Sequence, residues 1–394
     1  MRILHTGDLH IGKTVNNFNM LEDQKYVLTQ MVELVKERNV QVFIIAGDVY
    51  DRSIPTAEAV SVFNEFIGNL HETGVEILCI SGNHDSPERL SFAQEILEKK
   101  GVHFAGTYKG MCKQVCIEDD DGPVVFTLMP FVKPAVLSEN ASDTTVIHML
   151  ADTFCTCENP DFSEVSKEIM KRSRKERQVL VTHYFVTNAG TVPELSDSET
   201  HVSVGGLDNV DCSLFAGFHY VALGHIHKPQ RMDKGSSLYG PVVYAGSPLA
   251  YSFSECGQQK GIVYVELDKQ GNAVVENIPL IPMKKMRKLK GNLINLTDPV
   301  IAGMESCEDY LQITLTDEEE LIDPIGTLRR VYPNVMQLLF EKREKETKGE
   351  FHAQFDAKNK PIEELFADFY ELIRGQKPDE SRERIIKEVI EETV

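Results

Sequence analysis

Val42-Phe43-Ile44-Ile45-Ala46-Gly47-Asp48 is an unbroken apolar run that ends in a glycine and then a carboxylate. A short run of this kind reads as a strand buried on both faces, because a strand with one wet face alternates apolar and polar residues. In an open α/β sheet, ligands gather just past the carboxyl ends of such strands. Asp48 then stands at the rim of the sheet, where a carboxylate can hold a cation. The pattern recurs in Arg2-Ile3-Leu4-His5-Thr6-Gly7-Asp8-Leu9-His10 and in Glu76-Ile77-Leu78-Cys79-Ile80-Ser81-Gly82-Asn83-His84-Asp85. It recurs again in Gln178-Val179-Leu180-Val181-Thr182-His183 and in Tyr220-Val221-Ala222-Leu223-Gly224-His225-Ile226-His227. Every repeat delivers oxygen or imidazole donors at a strand's downstream end, which points to one shared site.

At 394 residues the chain exceeds a single typical core, so two or three domains are expected. No run approaches the roughly 20 apolar residues that a membrane span needs. The N-terminus enters a strand at once, without a basic segment followed by an apolar one, so the expected compartment is the cytoplasm. The closest cysteine pairs are Cys155 with Cys157 and Cys112 with Cys116. Neither has a second pair at zinc-finger spacing, and free reduced thiols are expected. A formal charge of −20 argues against a general nucleic-acid coat. It leaves room for a nucleic-acid substrate, since bound cations supply local positive potential. Basic clusters exist, two of them denser than the rest. Lys171-Arg172-Ser173-Arg174-Lys175 reads as a solvated face, whereas Lys284-Lys285-Met286-Arg287-Lys288-Leu289-Lys290 is open between a face and a phosphate contact.

Apolar spacing predicts helices over 23–38, over 56–70 behind Pro55, and over 87–100 with Gly101 as a C-cap. Short strands surround Asp119-Asp120-Asp121-Gly122, which lacks the full ligand spacing of a calcium loop and reads as a solvated hairpin turn. A charged helix follows over 160–177. The polar stretch 188–210 holds Ser196-Asp197-Ser198-Glu199, and long loops of this kind are usually functional or mobile. Further strands are expected over 242–245 and 261–267. The pattern breaks at 279–282, and 283–340 reads as a small α+β module with strands at 310–315 and 335–340 and a helix at 323–330. The domains expected are therefore 1–278, 279–345 and 346–394, the last a linker and two amphipathic helices. Ile362, Leu365, Phe366, Phe369, Tyr370 and Ile373 form the stripe of the first of these. The favoured role for the pair is to seat a partner.

Asp8 and His10 are two residues apart, as are His225 and His227, so in extended chain each pair points to one side. Asp48, Asn83 and His183 complete a set of hard or borderline donors without a thiolate, which suits manganese, iron, zinc or magnesium. The set is too large for one ion. Two ions about 3.5–4 Å apart clamp the attacking and departing oxygens of a phosphoryl transfer. Asp8 and Asp48 against two divalent cations leave a surplus of positive charge for an anionic substrate. His5, His71, His103, His148, His219 and His352 lack such a context and read as structural.

In order along the chain, Gly7-Asp8-Leu9-His10, Gly47-Asp48, Gly82-Asn83-His84-Asp85, His183 and Gly224-His225-Ile226-His227 resemble the calcineurin-like metallophosphoesterase superfamily. Gly47-Asp48-Val49-Tyr50-Asp51, Ser196-Asp197-Ser198-Glu199, the run from Tyr220 to Gln230 and the run from Gly246 to Glu255 resemble its DNA-nuclease branch, whose members work with an SMC-like ATPase. The resemblance implies an α+β fold: a four-layer α/β/β/α sandwich, a small α+β capping domain, and C-terminal helices that grip the ATPase. That replaces an open sheet while keeping the donors at strand ends. It implies two divalent metal ions, manganese by family habit, with Asp8, His10 and His227 on one, Asn83, His183 and His225 on the other, and Asp48 bridging. It makes His84 the acid for the leaving 3′ oxygen and Asp85 the group that orients it. The implied function is 3′→5′ exonuclease action on duplex DNA ends and endonuclease action on hairpins or single strands. The implied assembly is a homodimer within a heterotetramer, away from any membrane, with a dimer surface expected around Phe63, Phe66 and Leu90. Archaeal and eukaryotic relatives carry a histidine where this chain has Asp51. Asp51-Arg52 also resembles a pair found in Ser/Thr protein phosphatases, which makes a phosphatase or small-molecule phosphodiesterase the main rival. A non-catalytic scaffold that binds DNA ends is the rival from another class.

Overall fold

The computed structural model describes residues 1–133, 142–155, 162–199, 209–233, 239–319 and 321–341, together with position 378. The two helices expected within 346–394 lie outside the described residues.

Two six-stranded sheets form the larger part of the molecule. The first runs Ala273–Pro279, Gly261–Leu267, Arg2–Thr6, Val42–Ala46, Glu76–Ile80, Val102–Ala105. Its last four strands are parallel, and Arg2–Thr6 pairs antiparallel with Gly261–Leu267. The second runs Gln230–Arg231, Val242–Tyr244, Tyr220–Leu223, Arg177–Thr182, Gly122–Met129, Lys113–Asp119. Alternate side chains settle how the layers stack. Ile3, Val42, Ile44, Leu78 and Ile80 of the first sheet share one buried cluster with Phe126, Leu128, Val179, Val181, Tyr220 and Ala222 of the second. Phe43, Ile45, Ile77 and Cys79 face the other way, against Leu28, Met31, Val35, Val62 and Phe66 of helices Leu21–Glu37 and Ala57–Glu72. Leu180, Val221 and Leu223 pack on Val146, Met149, Leu150, Val165 and Ile169 of helices Ser142–Phe154 and Phe162–Ser173. The order is α/β/β/α. Val42–Ala46 shows no alternation because a sheet covers one face and helices cover the other, so the sandwich expected from the family resemblance forms, and not the open sheet that the strand pattern alone suggested.

Helix Ala57–Glu72 starts where Thr56 accepts a hydrogen bond from the Ala59 N–H at 3.3 Å, a side-chain cap for an otherwise orphaned donor. Phe63, Phe66 and Leu90 are 6%, 3% and 6% exposed. Phe66 packs edge-on to Phe43 and Phe63 to Tyr50, each burial contributing about 1.5–3 kcal/mol. These residues belong to the chain's own core, so the dimer surface expected on them is not available. The single helix expected over 87–100 is two turns, Pro87–Leu90 and Gln94–Glu98, broken at Ala93 with φ +55°. The first turn is pressed against Gly106, where a Cβ would run into the Pro87 carbonyl oxygen. Helix Ser142–Phe154 has no counterpart in the sequence reading, although Val146, Met149, Leu150 and Phe154 carry a helical spacing. The acidic turn is not fully solvated: Asp119 forms a salt bridge with Arg177, each side chain 5% exposed.

Beyond Pro279, Met286–Gly291, Tyr310–Leu315 and Val335–Phe340 form a separate parallel three-stranded sheet. Leu311, Ile313, Leu315 and Val335 bury against Leu328 of helix Pro324–Val331. This cap seats on the sandwich through Tyr310 and Met336, which cluster with Val15, Met20, Leu249, Tyr251 and Phe253. The Tyr310 hydroxyl donates to Asp23 at 2.7 Å. Among the described residues, no helix is long and apolar enough to cross a membrane.

Candidate metal centre

The strand-end loops of the first sheet run side by side, the Asp8 N–H donating to the Gly47 carbonyl at 3.1 Å and the His10 N–H to the Asp48 carbonyl at 3.0 Å. Asp8, His10, Asp48 and His225 hold φ angles of +52°, +45°, +48° and +98°. Non-glycine residues cost about 1 kcal/mol or more each in that region, and such strain gathers at functional sites. Gly82 sits where a Cβ would strike the Asp48 carboxylate, so only glycine lets the two loops meet.

The donors named from the sequence come together. Single donor atoms of Asp8, His10 and His227 lie within 4.8 Å of one another, as do those of Asp8, Asp48 and His183; His84, read from the sequence as an acid and not as a ligand, falls within the same distance of His10 and Asp48. The Nε2 atoms of His10 and His227 face each other at 3.1 Å. Asn83 Oδ1 lies 3.0 Å from both His183 Nε2 and His225 Nδ1. Asp48 Oδ2 stands between the groups, 3.3 Å from His183 Nε2 and 3.7 Å from His10 Nε2. Asp8, His10, Asp48, His183 and His227 are all nearly fully buried. Oxygen and imidazole atoms converging without a thiolate fit divalent cations of the manganese and zinc class.

Burial holds His225 down to about 3 and His10 well below its ordinary value, with Asp48 opposing in both cases. Neutral rings of this kind offer the lone pairs that a cation needs. At His183 burial is outweighed by the neighbouring Asp48 carboxylate, which raises the ring to about 9. Its proton must leave before a cation can take that place. Burial raises Asp8. Asp48 is held far below the carboxylate range, His183 overriding the effect of burial.

The Asp85 carboxylate accepts from the backbone N–H groups of Val49, Tyr50 and Gly82 at 3.1, 3.0 and 2.9 Å. It clamps the Asp48 and Asn83 loops together, and burial raises it to about 6. His84 Nδ1 lies 3.0 Å from the Asp51 carbonyl, and the His84 backbone N–H donates to Asp48 Oδ1 at 2.8 Å. Asp51 itself pairs with Lys13 at 2.7 Å.

Sequence reasoning missed a shell of supporting residues. Gln24 Nε2 donates to the carbonyls of Leu9 and His10 at 3.2 and 2.7 Å, fixing the first loop from behind. Glu199 accepts the His227 N–H at 2.6 Å, and Ser198 Oγ lies 2.6 Å from His227 Nδ1. Glu255 and Lys260 form a buried ion pair beneath them. His227 and Lys260 hold Glu255 at about 2 against burial. The stretches 196–199 and 246–255 flagged these places, but no residue type in them announces a support for a histidine. Among the histidines read as structural, His5 pairs with the Tyr220 hydroxyl at 2.9 Å, His103 with Glu76 at 2.9 Å, and His219 Nδ1 accepts from the Gln178 N–H at 2.9 Å.

A family model described as calcineurin-like phosphoesterase matches residues 1–229. A second, described as type 5 capsule protein repressor C-terminal domain, matches residues 282–373. The chain belongs to the calcineurin-like phosphoesterase family. The SbcD component of the nuclease SbcCD from Staphylococcus epidermidis is 30% identical over 346 residues, 86% of this chain and 85% of that protein. Within the family, this chain therefore falls in the SbcD branch. Among solved structures, TT1561 of Thermus thermophilus is 13% identical over 70% of this chain and 98% of its own, with a TM-score of 0.36. A dimetal phosphatase from Danio rerio is 11% identical over 70% and 98%, with a TM-score of 0.39. Likeness at that level decides nothing further.

Proposed function

We propose that this chain is the manganese-dependent nuclease subunit of a DNA end-processing complex, cutting duplex ends 3′→5′ and opening hairpins and single strands together with an SbcC-like ATPase. The observation that carries the reading is the convergence of Asp8, His10, Asp48, Asn83, His183, His225 and His227 at the ends of strands from two stacked sheets. The relative named as part of the SbcCD nuclease supports DNA as the substrate. Asp8, His10 and His227 would hold one cation and Asn83, His183 and His225 the other, with Asp48 Oδ2 placed between the two groups, 3.7 Å from His10 Nε2 and 3.3 Å from His183 Nε2. The metal pair, when bound, supplies polarisation of the phosphate and acidification of a water.

The chain's own residues do the rest. Asn83 contributes a neutral oxygen and so leaves the positive surplus for the phosphate backbone. His84, whose Nδ1 faces the Asp51 carbonyl, gives its proton from the other ring nitrogen to the leaving 3′ oxygen. Asp85 keeps the two loops in register, which sets the distance between His84 and the donors. The cap over 279–345 and the segment 346–394 serve DNA and the ATPase. Work in repair, recombination and replication on the chromosome implies the cytoplasm. Self-association into a dimer falls to Phe92 and Ile96, 81% and 69% exposed, in place of the buried Phe63, Phe66 and Leu90.

The test is cleavage of end-labelled duplex and hairpin DNA by the chain mixed with its ATPase, with manganese and ATP. Degradation is expected. No cleavage, with turnover of nitrophenyl phosphate that excess DNA does not inhibit, makes the protein a phosphatase instead. DNA-end binding with neither activity makes it a scaffold.

A further inference from the structure

A histidine that gives Nε2 to a cation must carry its proton on Nδ1, and something must receive that proton. The candidate donors solve this differently. His183 Nδ1 lies 2.7 Å from the Ala46 carbonyl, a fixed backbone acceptor. His10 Nδ1 is buried without a hydrogen-bond partner, with Asp51 Oδ1 3.7 Å away. His227 Nδ1 lies 2.6 Å from a serine hydroxyl, Ser198 Oγ. A hydroxyl can donate or accept, so alone it leaves the ring's tautomer open.

Glu255 removes that freedom. Its Oε1 accepts from Ser198 Oγ and also from Ser252 Oγ at 3.2 Å. An ionised carboxylate only accepts, so the Ser198 proton points to Glu255 and the Ser198 lone pair to His227. The His227 proton must then sit on Nδ1, which leaves Nε2 bare toward His10 Nε2, 3.1 Å away. Lys260 fixes the other side of Glu255, pairing with Oε2 while donating to the His227 carbonyl at 2.8 Å and to Ser247 Oγ at 3.0 Å. Glu255 is 1% exposed and Lys260 7%. Two opposite charges, nearly sealed from water and tied to one histidine, Glu255 to its ring through Ser198 and Lys260 to its backbone carbonyl, are costly to keep for packing alone.

We propose that Glu255, acting through Ser198 and held by Lys260, is a positioning residue that sets the tautomer and ring orientation of His227 for cation binding. The proposal rests on the metal-centre reading above. Outer-shell partners of this kind typically change metal affinity 10–100-fold. The chain is specific: Glu255 orients Ser198, Ser198 orients His227, and His227 offers Nε2.

The test uses the full chain with Ser198→Ala, Ser198→Thr and Glu255→Gln. Imidazole nitrogen shifts of His227 are read by NMR on metal-free protein, and manganese binding is titrated calorimetrically. Wild type is expected to show Nδ1 protonated. Ser198→Ala should lose that single tautomer and bind one manganese about 10-fold or more weakly, with an unchanged melting temperature. Ser198→Thr, which keeps the hydroxyl, should restore both. An Nδ1-protonated His227 and wild-type manganese affinity in Ser198→Ala would overturn the relay, whether or not Glu255→Gln folds. The nitrogen shifts need no metal, so they decide the relay even where the wild type takes up no manganese, a result that sinks the metal-centre reading instead.

Discussion

Asp48 and His84 touch each other, and their expected defects differ because their tasks differ. Asp48 stands between the two donor groups, so on the proposed reading Asp48→Asn removes the negative charge that both cations would share. Cleavage of hairpin DNA should fall by about 10³-fold or more, a loss of roughly 4 kcal/mol in transition-state stabilisation, and manganese titration should lose at least one binding event. His84→Gln removes a proton donor outside the donor set. Its cleavage should fall about 10²–10⁴-fold with both manganese affinities intact. Equal metal loss in the two variants would show that His84 is a ligand rather than an acid. The clustering of these seven side chains was legible in the sequence because each stands within four residues of the end of an apolar strand. The Ser198–Glu255–Lys260 support was not, because its members are far apart in sequence and meet only after the loops fold.

The segment 87–98 shows what an element reveals and what it hides. Its composition predicts a helix, and both turns are helical; Ala93 between them is left-handed, and the first turn meets Gly106, a contact between distant residues that local periodicity cannot carry. Phe92 and Ile96 are in solvent. Exposed apolar side chains of this size gain about 1.5–3 kcal/mol each when covered, which is why the proposed dimer contact is placed on this segment. Phe92→Glu with Ile96→Glu should turn a dimer into a monomer in sedimentation equilibrium and leave the melting temperature unchanged, since neither side chain supports the core. An unchanged mass would move the dimer contact elsewhere. Ala93→Gly should stabilise the chain by up to about 1 kcal/mol in urea denaturation, because glycine tolerates the left-handed backbone that alanine does not. A loss of stability there would mean the alanine methyl packs well enough to offset its strain.

At the scale of the whole molecule, the apolar runs announced burial but not what does the burying. A helix layer and a second sheet demand the same residues from the strand between them, so a sandwich and an open sheet read alike at Val42–Ala46. The two sheets must still be held in register, since the donors come from both. At the end of the sandwich remote from the donors, Arg177 opens a strand of the second sheet and pairs with Asp119 at the hairpin turn. It also donates to the Leu267 carbonyl of the first sheet at 3.4 Å. Burial works against the Asp119 charge, yet Arg177 holds its carboxyl well below the ordinary range. A carboxyl lowered on folding stabilises the fold above its unfolded value of about 3.9 and loses that contribution as the pH falls below it. Asp119→Asn leaves Arg177 buried without its counter-charge and should cost about 3–5 kcal/mol at pH 7, seen as an earlier urea midpoint. The gap between variant and wild type should begin to narrow as the pH falls below about 4 and go on narrowing with further acid. Manganese affinity should stay at the wild-type value, because the pair lies at the far ends of strands whose near ends carry the donors. A gap that persisted in acid would assign the loss to packing rather than charge, and a fall in metal affinity would mean that register at one end of the sandwich governs donor geometry at the other.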